Sequence, residues 1–288
     1  MIVLDNEKYH EICSYMRRYK RLAIDCEASL VKKFPDVPRL TLASLLQHDR
    51  QLRLRQMHAR VNARAAEHLA EYRRRVSTDA GKTLLKMALE MDFSPISLAR
   101  IIVSAAYPDF PKPDISKMMH NIDTIPDPQL ALNVCHCILN DNQEGAIADA
   151  ARRCIGEEYE IRLKEMARNA GMVFYDEGDL RREGYDKTPD LKMAVPFLYK
   201  GMVVNWIESK ALFGDHEAHK RYMNDQLTSY VNRFGPGIVI YWLGFLDDIR
   251  YHKENDEHIV ILHSFPEASE MEFLSYGKES AENKANCT

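Results

Sequence analysis

Two acids and a lysine in this chain are spaced for work on a phosphodiester. Pro189-Asp190 precedes one apolar run, and Glu208-Ser209-Lys210 closes the next. If the runs pair as neighbouring strands, an Asp, a Glu and an ammonium meet on one face, because strand side chains alternate with period two. Carboxylates held that close repel unless a cation lies between them. A hard ion such as Mg²⁺ takes carboxylate oxygens and keeps several waters, which suits Asp190, Glu208 and the backbone carbonyl of Ser209. Lys210 would orient or deprotonate the attacking water and balance charge growing on phosphate. No Ser/His/Asp triad is evident in competition. Gly235-Pro236-Gly237 leads into a strand, not into the helix that a phosphate-binding loop requires.

That chemistry needs a hairpin in one register. A three-residue loop Tyr199-Lys200-Gly201, with glycine in the left-handed position, pairs Leu198 with Met202 and predicts Asp190 directly opposite Lys210. Glu208 then lies two residues along on the same face. A two-residue loop would set Asp190 opposite Ala211. Around the hairpin, apolar spacing predicts a helix over 147–170 carrying Glu157, Glu158 and Glu160, then a short strand over 172–175. Strands follow over 191–199 and 203–211, a helix over 219–234 with Gln226 and Tyr230 on one face, and strands over 237–245 and 258–265. The His216-Glu217-Ala218-His219 turn reads as capping or solvated, with phosphate contact as the alternative.

The front of the chain is helical. Arg50 to Arg75 reads as a long basic helix, either a solvated face or a phosphate-binding one. Between Lys82 and Ala106, a helix, a tight turn and then Ser94-Pro95 as cap and first helical residue predict two helices meeting at an angle, as in helix-turn-helix units. Two shorter helices are expected from Asp114 and Asp127, both with acidic caps. Cys135-His136-Cys137 falls within the second, where neighbouring positions face different directions, so it reads as packing and not as a metal site. The reading is a mixed α+β chain: a helical, helix-turn-helix-like region over 1–142, an αβββαβ core over 143–268 and a flexible tail over 269–288.

Composition sets the bounds. At 288 residues, 45% hydrophobic and 28% charged, the chain has the make-up of an ordinary globular protein with one or two domains. No stretch approaches the ~20 apolar residues of a membrane span, and Met1-Ile2-Val3-Leu4 lacks the basic lead of a secretory signal. Six cysteines without a paired framework favour a reducing compartment. Net charge is −4, unevenly spread: residues 1–75 hold 16 Lys/Arg and 9 Asp/Glu, net +7, leaving −11 for the remainder. A basic front is mild support for a polyanion partner.

Pro189-Asp190 and Glu208-Ser209-Lys210 in an αβββαβ order resemble the PD-(D/E)xK nuclease superfamily, which has a restriction-endonuclease-like core. Longer stretches resemble the codanin-interacting nucleases: Ile155-Gly156 with Glu158 and Glu160, Gly184-Tyr185-Asp186-Lys187-Thr188-Pro189-Asp190, Trp206 to Ala211, and Asn232-Arg233-Phe234-Gly235-Pro236-Gly237. The resemblance covers nearly the whole chain and is weakest over 1–80 and in the tail. It implies a Mg²⁺- or Mn²⁺-dependent endonuclease with Asp190 and Glu208 as metal-binding acids and Lys210 as catalytic lysine. It also implies a helix acid at Glu160 or Glu158 and a polar helper at Gln226. Codanin as partner, DNA ahead of RNA as substrate, a homodimer, and residence in nucleus and cytoplasm are further implications. The alternative is a catalytically weak nuclease-fold module serving as a subunit of a codanin complex.

Overall fold

Helix starts in the front of the chain follow the side chains able to cap them. The Ser94 hydroxyl accepts from Ser97 N at 3.1 Å with Pro95 at the first helical position. Asp127 accepts from Gln129 N at 2.9 Å and Leu130 N at 3.2 Å ahead of Pro128. The computed structural model describes residues 2–77, 81–251 and 258–273. The chain divides into two units, Glu7–Ile155 and a discontinuous one made of Met1–Asn6 with Gly156–Thr288. The division falls inside a helix, beyond the polar stretch at 140–145.

After strand β1 (Val3–Leu4), the first unit consists of α1 (Asn6–Arg18), α2 (Ala23–Lys33), α3 (Arg39–Ala63), α4 (Ala65–Val76), α5 (Thr83–Glu90), α6 (Pro95–Ala106), α7 (Lys112–His120) and α8 (Pro128–Leu139). The basic run is therefore two helices broken at Arg64. Its Arg50 and Arg53 turn inward to Asp92, at 3.1 and 2.8 Å, whereas Arg55 and Arg60 stay exposed. Asp92 shapes the turn between α5 and α6 with a φ of 52°. The two helices meet as expected, and α6 buries Ile96, Leu98, Ile101, Ile102 and Val103 in the unit's core, leaving Ser97, Arg100 and Ser104 on its unburied face. Helix α7 starts after Pro111, so Asp114 sits inside its first turn and meets the helix dipole instead of capping it.

Helix α9 (Ala146–Asn169) leads to β2 (Phe174–Asp176), α10 (Glu177–Arg182), β3 (Leu191–Tyr199), β4 (Met202–Lys210), α11 (His216–Tyr222), a π-turn over Met223–Leu227, α12 (Thr228–Phe234), β5 (Gly237–Tyr241), β6 (Phe245–Leu246), β7 (Ile259–Leu262) and β8 (Met271–Phe273). The main sheet runs β2-β3-β4-β5-β7, with β8 sharing the outer edge of β3 with β2. Strands β4 and β5 are parallel, so the chain must cross over between them, and α11–α12 is that crossover. One sheet face packs Leu191, Ile207, Ile238 and Ile240 in one core cluster with Leu163 and Ala167 of α9. The architecture is the expected mixed α+β. The tail is shorter than expected at its start, since residues 271–273 pair with β3; residues 274–288 lie outside the described ones.

The hairpin register differs from the expectation. Tyr199 pairs with Met202, so the loop is the two-residue Lys200-Gly201, with φ of 48° and 83°, the left-handed pair that a tight hairpin turn demands. That loop alone would carry Asp190 past Lys210. A bulge between Lys192 and Phe197 corrects it: Phe197 faces Val204, but Lys192 faces Trp206 and Leu191 faces Ile207. Pro196, which has no N–H for the ladder, sits inside the bulge. One further step brings Asp190 beside Glu208 instead of Lys210.

Candidate active site

The loop leading to Asp190 is held from the crossover helices. Tyr230 Oη donates to the Thr188 carbonyl at 2.8 Å, Lys187 Nζ donates to the Asp225 carbonyl at 2.6 Å, and Thr188 and Pro189 are buried. Asp190 Oδ2 accepts from Ser209 N at 2.7 Å, and Asp190 N donates to Glu208 Oε2 at 3.2 Å. Lys210 Nζ donates to Glu208 Oε1 at 2.6 Å and to Gln226 Oε1 at 2.8 Å, and lies 4.5 Å from the centre of the Tyr222 ring. Asp190, Glu208, Lys210 and Gln226 thus form one hydrogen-bonded cluster from β3, β4 and the π-turn. On β5, Gly237 makes room for Trp206, two residues before Glu208: a Cβ there would stand 2.2 Å from the indole.

Burial and like charge dominate the electrostatics. Burial, then the neighbouring Glu208 charge, push the Asp190 carboxyl well above its ordinary range, against the Ser209 N–H and Lys210. Burial also penalises the Lys210 ammonium, but Glu208, Asp190 and Tyr222 more than offset this, and its proton is held more tightly than usual. The site thus sets two carboxyl groups side by side with a single ammonium, which bonds to Glu208.

The donor set fits a hard divalent cation that keeps much of its water. Lys210's carbonyl accepts from Trp242 N at 3.0 Å on the β5 side, so alternation turns the Ser209 carbonyl to the opposite edge, where Asp190 lies. Among the described residues no group of three or more His, Cys, Asp and Glu is placed to form a full protein cage. Asp190, Glu208 and the Ser209 carbonyl are the groups available to such an ion.

The two helix acids part company. Glu158 is exposed, whereas Glu160 is half-buried; burial and then Glu177 raise its carboxyl, and it feels the charges of Glu208 and Lys210. The neighbouring Tyr159 stacks on Trp242 at 5.2 Å, and Trp242 Nε1 donates to Ser209 Oγ at 2.8 Å, tying α9 to the end of β4. His216 pairs with Asp248 at 3.3 Å, and the buried His219 Nδ1 lies 2.9 Å from Tyr241 Oη, both outside the cluster.

A family model described as "Protein of unknown function TPD sequence-motif" matches residues 126–265, which include Thr188-Pro189-Asp190. The CDAN1-interacting nuclease 1 of Xenopus laevis is 36% identical over 99% of this chain and 96% of its own length. The chain belongs to the CDAN1-interacting nuclease 1 family. The family's Xenopus tropicalis member is 37% identical over 93% of this chain and 90% of its own, and the human member 37% identical over 78% and 83%. No solved structure matches.

Within this member of the CDAN1-interacting nuclease family, one contact of the lysine escaped sequence reasoning. Tyr222 stands four residues before Gln226, so a helical face would have linked them, but the π-turn that begins at Met223 and seats both against Lys210 leaves no periodic trace.

Proposed function

We propose that this chain is a divalent-metal-dependent endonuclease that hydrolyses phosphodiester bonds of DNA or structured nucleic acid and works with codanin, the partner after which its relatives are named. The observation that carries the reading is the cluster of Asp190, Glu208, Lys210 and Gln226 built at the end of one hairpin. Mg²⁺ or Mn²⁺ held by Asp190, Glu208 and the Ser209 carbonyl would supply polarisation of the phosphoryl oxygen. Glu208 and Gln226 take two of the Lys210 ammonium's three N–H groups and, with the Tyr222 ring beside it, hold it at one point, so little side-chain entropy is lost when substrate arrives and one N–H is left for it. From there Lys210 donates toward the attacking water and the phosphate, where burial strengthens its effect on developing charge. Glu160 adds negative potential from α9 and favours a cation over an anion between the strands.

The test is cleavage by the full chain of branched, duplex and single-stranded DNA and RNA, with and without Mg²⁺ or Mn²⁺. Lys210→Ala and Asp190→Ala are expected to abolish metal-dependent cutting. Activity equal to that of the parent in either variant overturns the assignment.

A second reading, a binding subunit of a codanin complex, draws on charge. Residues 1–6 and 156–288 hold 16 Lys/Arg and 25 Asp/Glu, net −9, which opposes nonspecific binding of nucleic acid. Under it, both variants keep codanin binding and the parent cuts nothing in any metal.

A further inference from the structure

The bulge that brings Asp190 to Glu208 also opens a surface groove of about 630 Å³, beside Met193 and Pro196. Two of the sequence stretches singled out above meet at its rim. Tyr185 lies 5.5 Å from Phe234 ring to ring, and Asp186 pairs with Arg233 at 2.5 Å. Docking of the loop on α12 accounts for those two contacts. It does not account for what stays open: Tyr185 is 38% exposed, the Arg233 side chain is 38% exposed, and both line the groove with Lys192.

Two properties identify the occupant. First, the sign of charge reverses locally: Lys192 and Arg233 face one acid, Asp186, in a unit that is net −9 overall. Second, aromatic rings alternate with those cations, since Tyr185 and Phe234 line the groove and Lys192 lies 5.2 Å from the ring of Tyr175, itself 41% exposed. Cations that follow a backbone, with rings that accept any base, are the equipment for single-stranded nucleic acid. A duplex has its bases already stacked and offers such rings nothing. Lys192 is the second residue of β3, and Asp190 immediately precedes that strand; extended backbone would set them about 7 Å apart, near the step between neighbouring phosphates of an extended strand.

We infer that this groove binds an unpaired segment of nucleic acid next to the scissile phosphate, with Tyr185 as the stacking platform and Lys192 and Arg233 as phosphate contacts. The inference deepens the nuclease reading and rests on it: the substrate class becomes nucleic acid with a single-stranded stretch at the cut, such as a flap or a fork.

The experiment separates the two ideas by measuring binding without cleavage. Fluorescein-labelled dT15 and rU15, and a blunt duplex, are titrated with the full chain carrying Lys210→Ala, in EDTA, by anisotropy. Tyr185→Ala is expected to weaken dT15 or rU15 binding roughly fivefold to a hundredfold, the loss that follows from ~1–3 kcal/mol per stacked base. Tyr185→Phe keeps the ring and should retain binding, and Lys192→Glu should weaken it without touching the loop. Single-strand affinity unchanged in both Tyr185→Ala and Lys192→Glu overturns the groove, as does a parent that prefers the duplex. Those results would leave the nuclease assignment standing, while a Lys210→Ala protein that still cuts would overturn that assignment alone.

Discussion

Replacing Asp190 with Asn removes a charge and keeps an acceptor for the Ser209 N–H, which now donates to Asp190 Oδ2 at 2.7 Å. Once Asp190 ionises, Asp190, Glu208 and Lys210 carry one net negative charge at a site where Glu208 is 4% exposed. At an effective dielectric of about 20, two carboxylates at the roughly 5 Å spacing general for directly opposed strand residues repel by about 3 kcal/mol, and Lys210 offsets part of that. The metal-free Asn variant should therefore be more stable than the parent by about 1–2 kcal/mol at neutral pH, or about 2–8 °C in melting temperature for a unit of this size. The pH dependence has a definite sign. Because the folded-state carboxyl binds its proton more tightly than the unfolded one, the parent loses stability as pH rises above the ordinary value of 3.8 toward the raised one. The gap between the proteins should open over that window and close below it. Trp206 and Trp242, the two tryptophans of the chain, both lie in the C-terminal unit, so tryptophan fluorescence in EDTA reports on that unit alone. Mg²⁺ should then stabilise the parent and leave the variant unmoved. An Asn variant less stable than the parent at pH 7 in EDTA, or a gap that ignores pH, would refute the reasoning.

Tyr222→Leu removes the ring 4.5 Å from Lys210 Nζ; kcat should fall about twofold to thirtyfold, from the ~0.5–2 kcal/mol of a cation–π contact, with KM little changed, and steady-state cleavage rates check this. Gly237→Ala puts a methyl group 2.2 Å from the Trp206 ring and should destabilise the C-terminal unit by about 1–3 kcal/mol, read by urea unfolding. Asp92→Asn keeps a residue type that tolerates its φ of 52° but leaves Arg50 and Arg53 without their shared carboxylate; the first unit should lose about 2–3 kcal/mol. Burial opposes ionisation of Asp92, but Lys20, Arg53 and Arg50 outweigh it and hold the carboxyl low. That stability is present above the ordinary carboxylate range and lost as pH falls through the depressed value, so the Asn deficit should shrink in acid, as measured by circular dichroism.

Much of the C-terminal unit was legible because its strands are long and bounded. Leu191–Tyr199 stands where the apolar run placed it, and β4 is displaced from its expected span by a single residue. Ser94 and Asp127 act as the caps their types promise. The hairpin register was not legible: alternation tells which side a residue faces, but a bulge at Met193–Pro196 changes the count without disturbing the apolar pattern. The second helix of the helix-turn-helix-like pair illustrates another limit, since a wide apolar face, broken only by Ser97, Arg100 and Ser104, buries most of α6, and capping grammar says nothing of that. Strands β1, β6 and β8, of two or three residues, have no period to read, whereas the equally short β2 was marked by its Val173-Phe174-Tyr175 run.

The pairing of Val3 with Phe245 has a further consequence. The helical unit, residues 7–155, is an insertion within the chain of the nuclease-like unit, whose opening strand is stranded on the far side of it. Closing a loop of that length adds little entropy cost over a shorter one, since the penalty grows only logarithmically, but the contact is among the most nonlocal in the protein and belongs to the slow part of assembly. A fragment begun at residue 143 or 156 leaves β6 without its β1 partner and the backbone groups of Phe245 without their strand, Leu246 N being held by the Gly214 carbonyl. No single cut releases the nuclease-like unit whole.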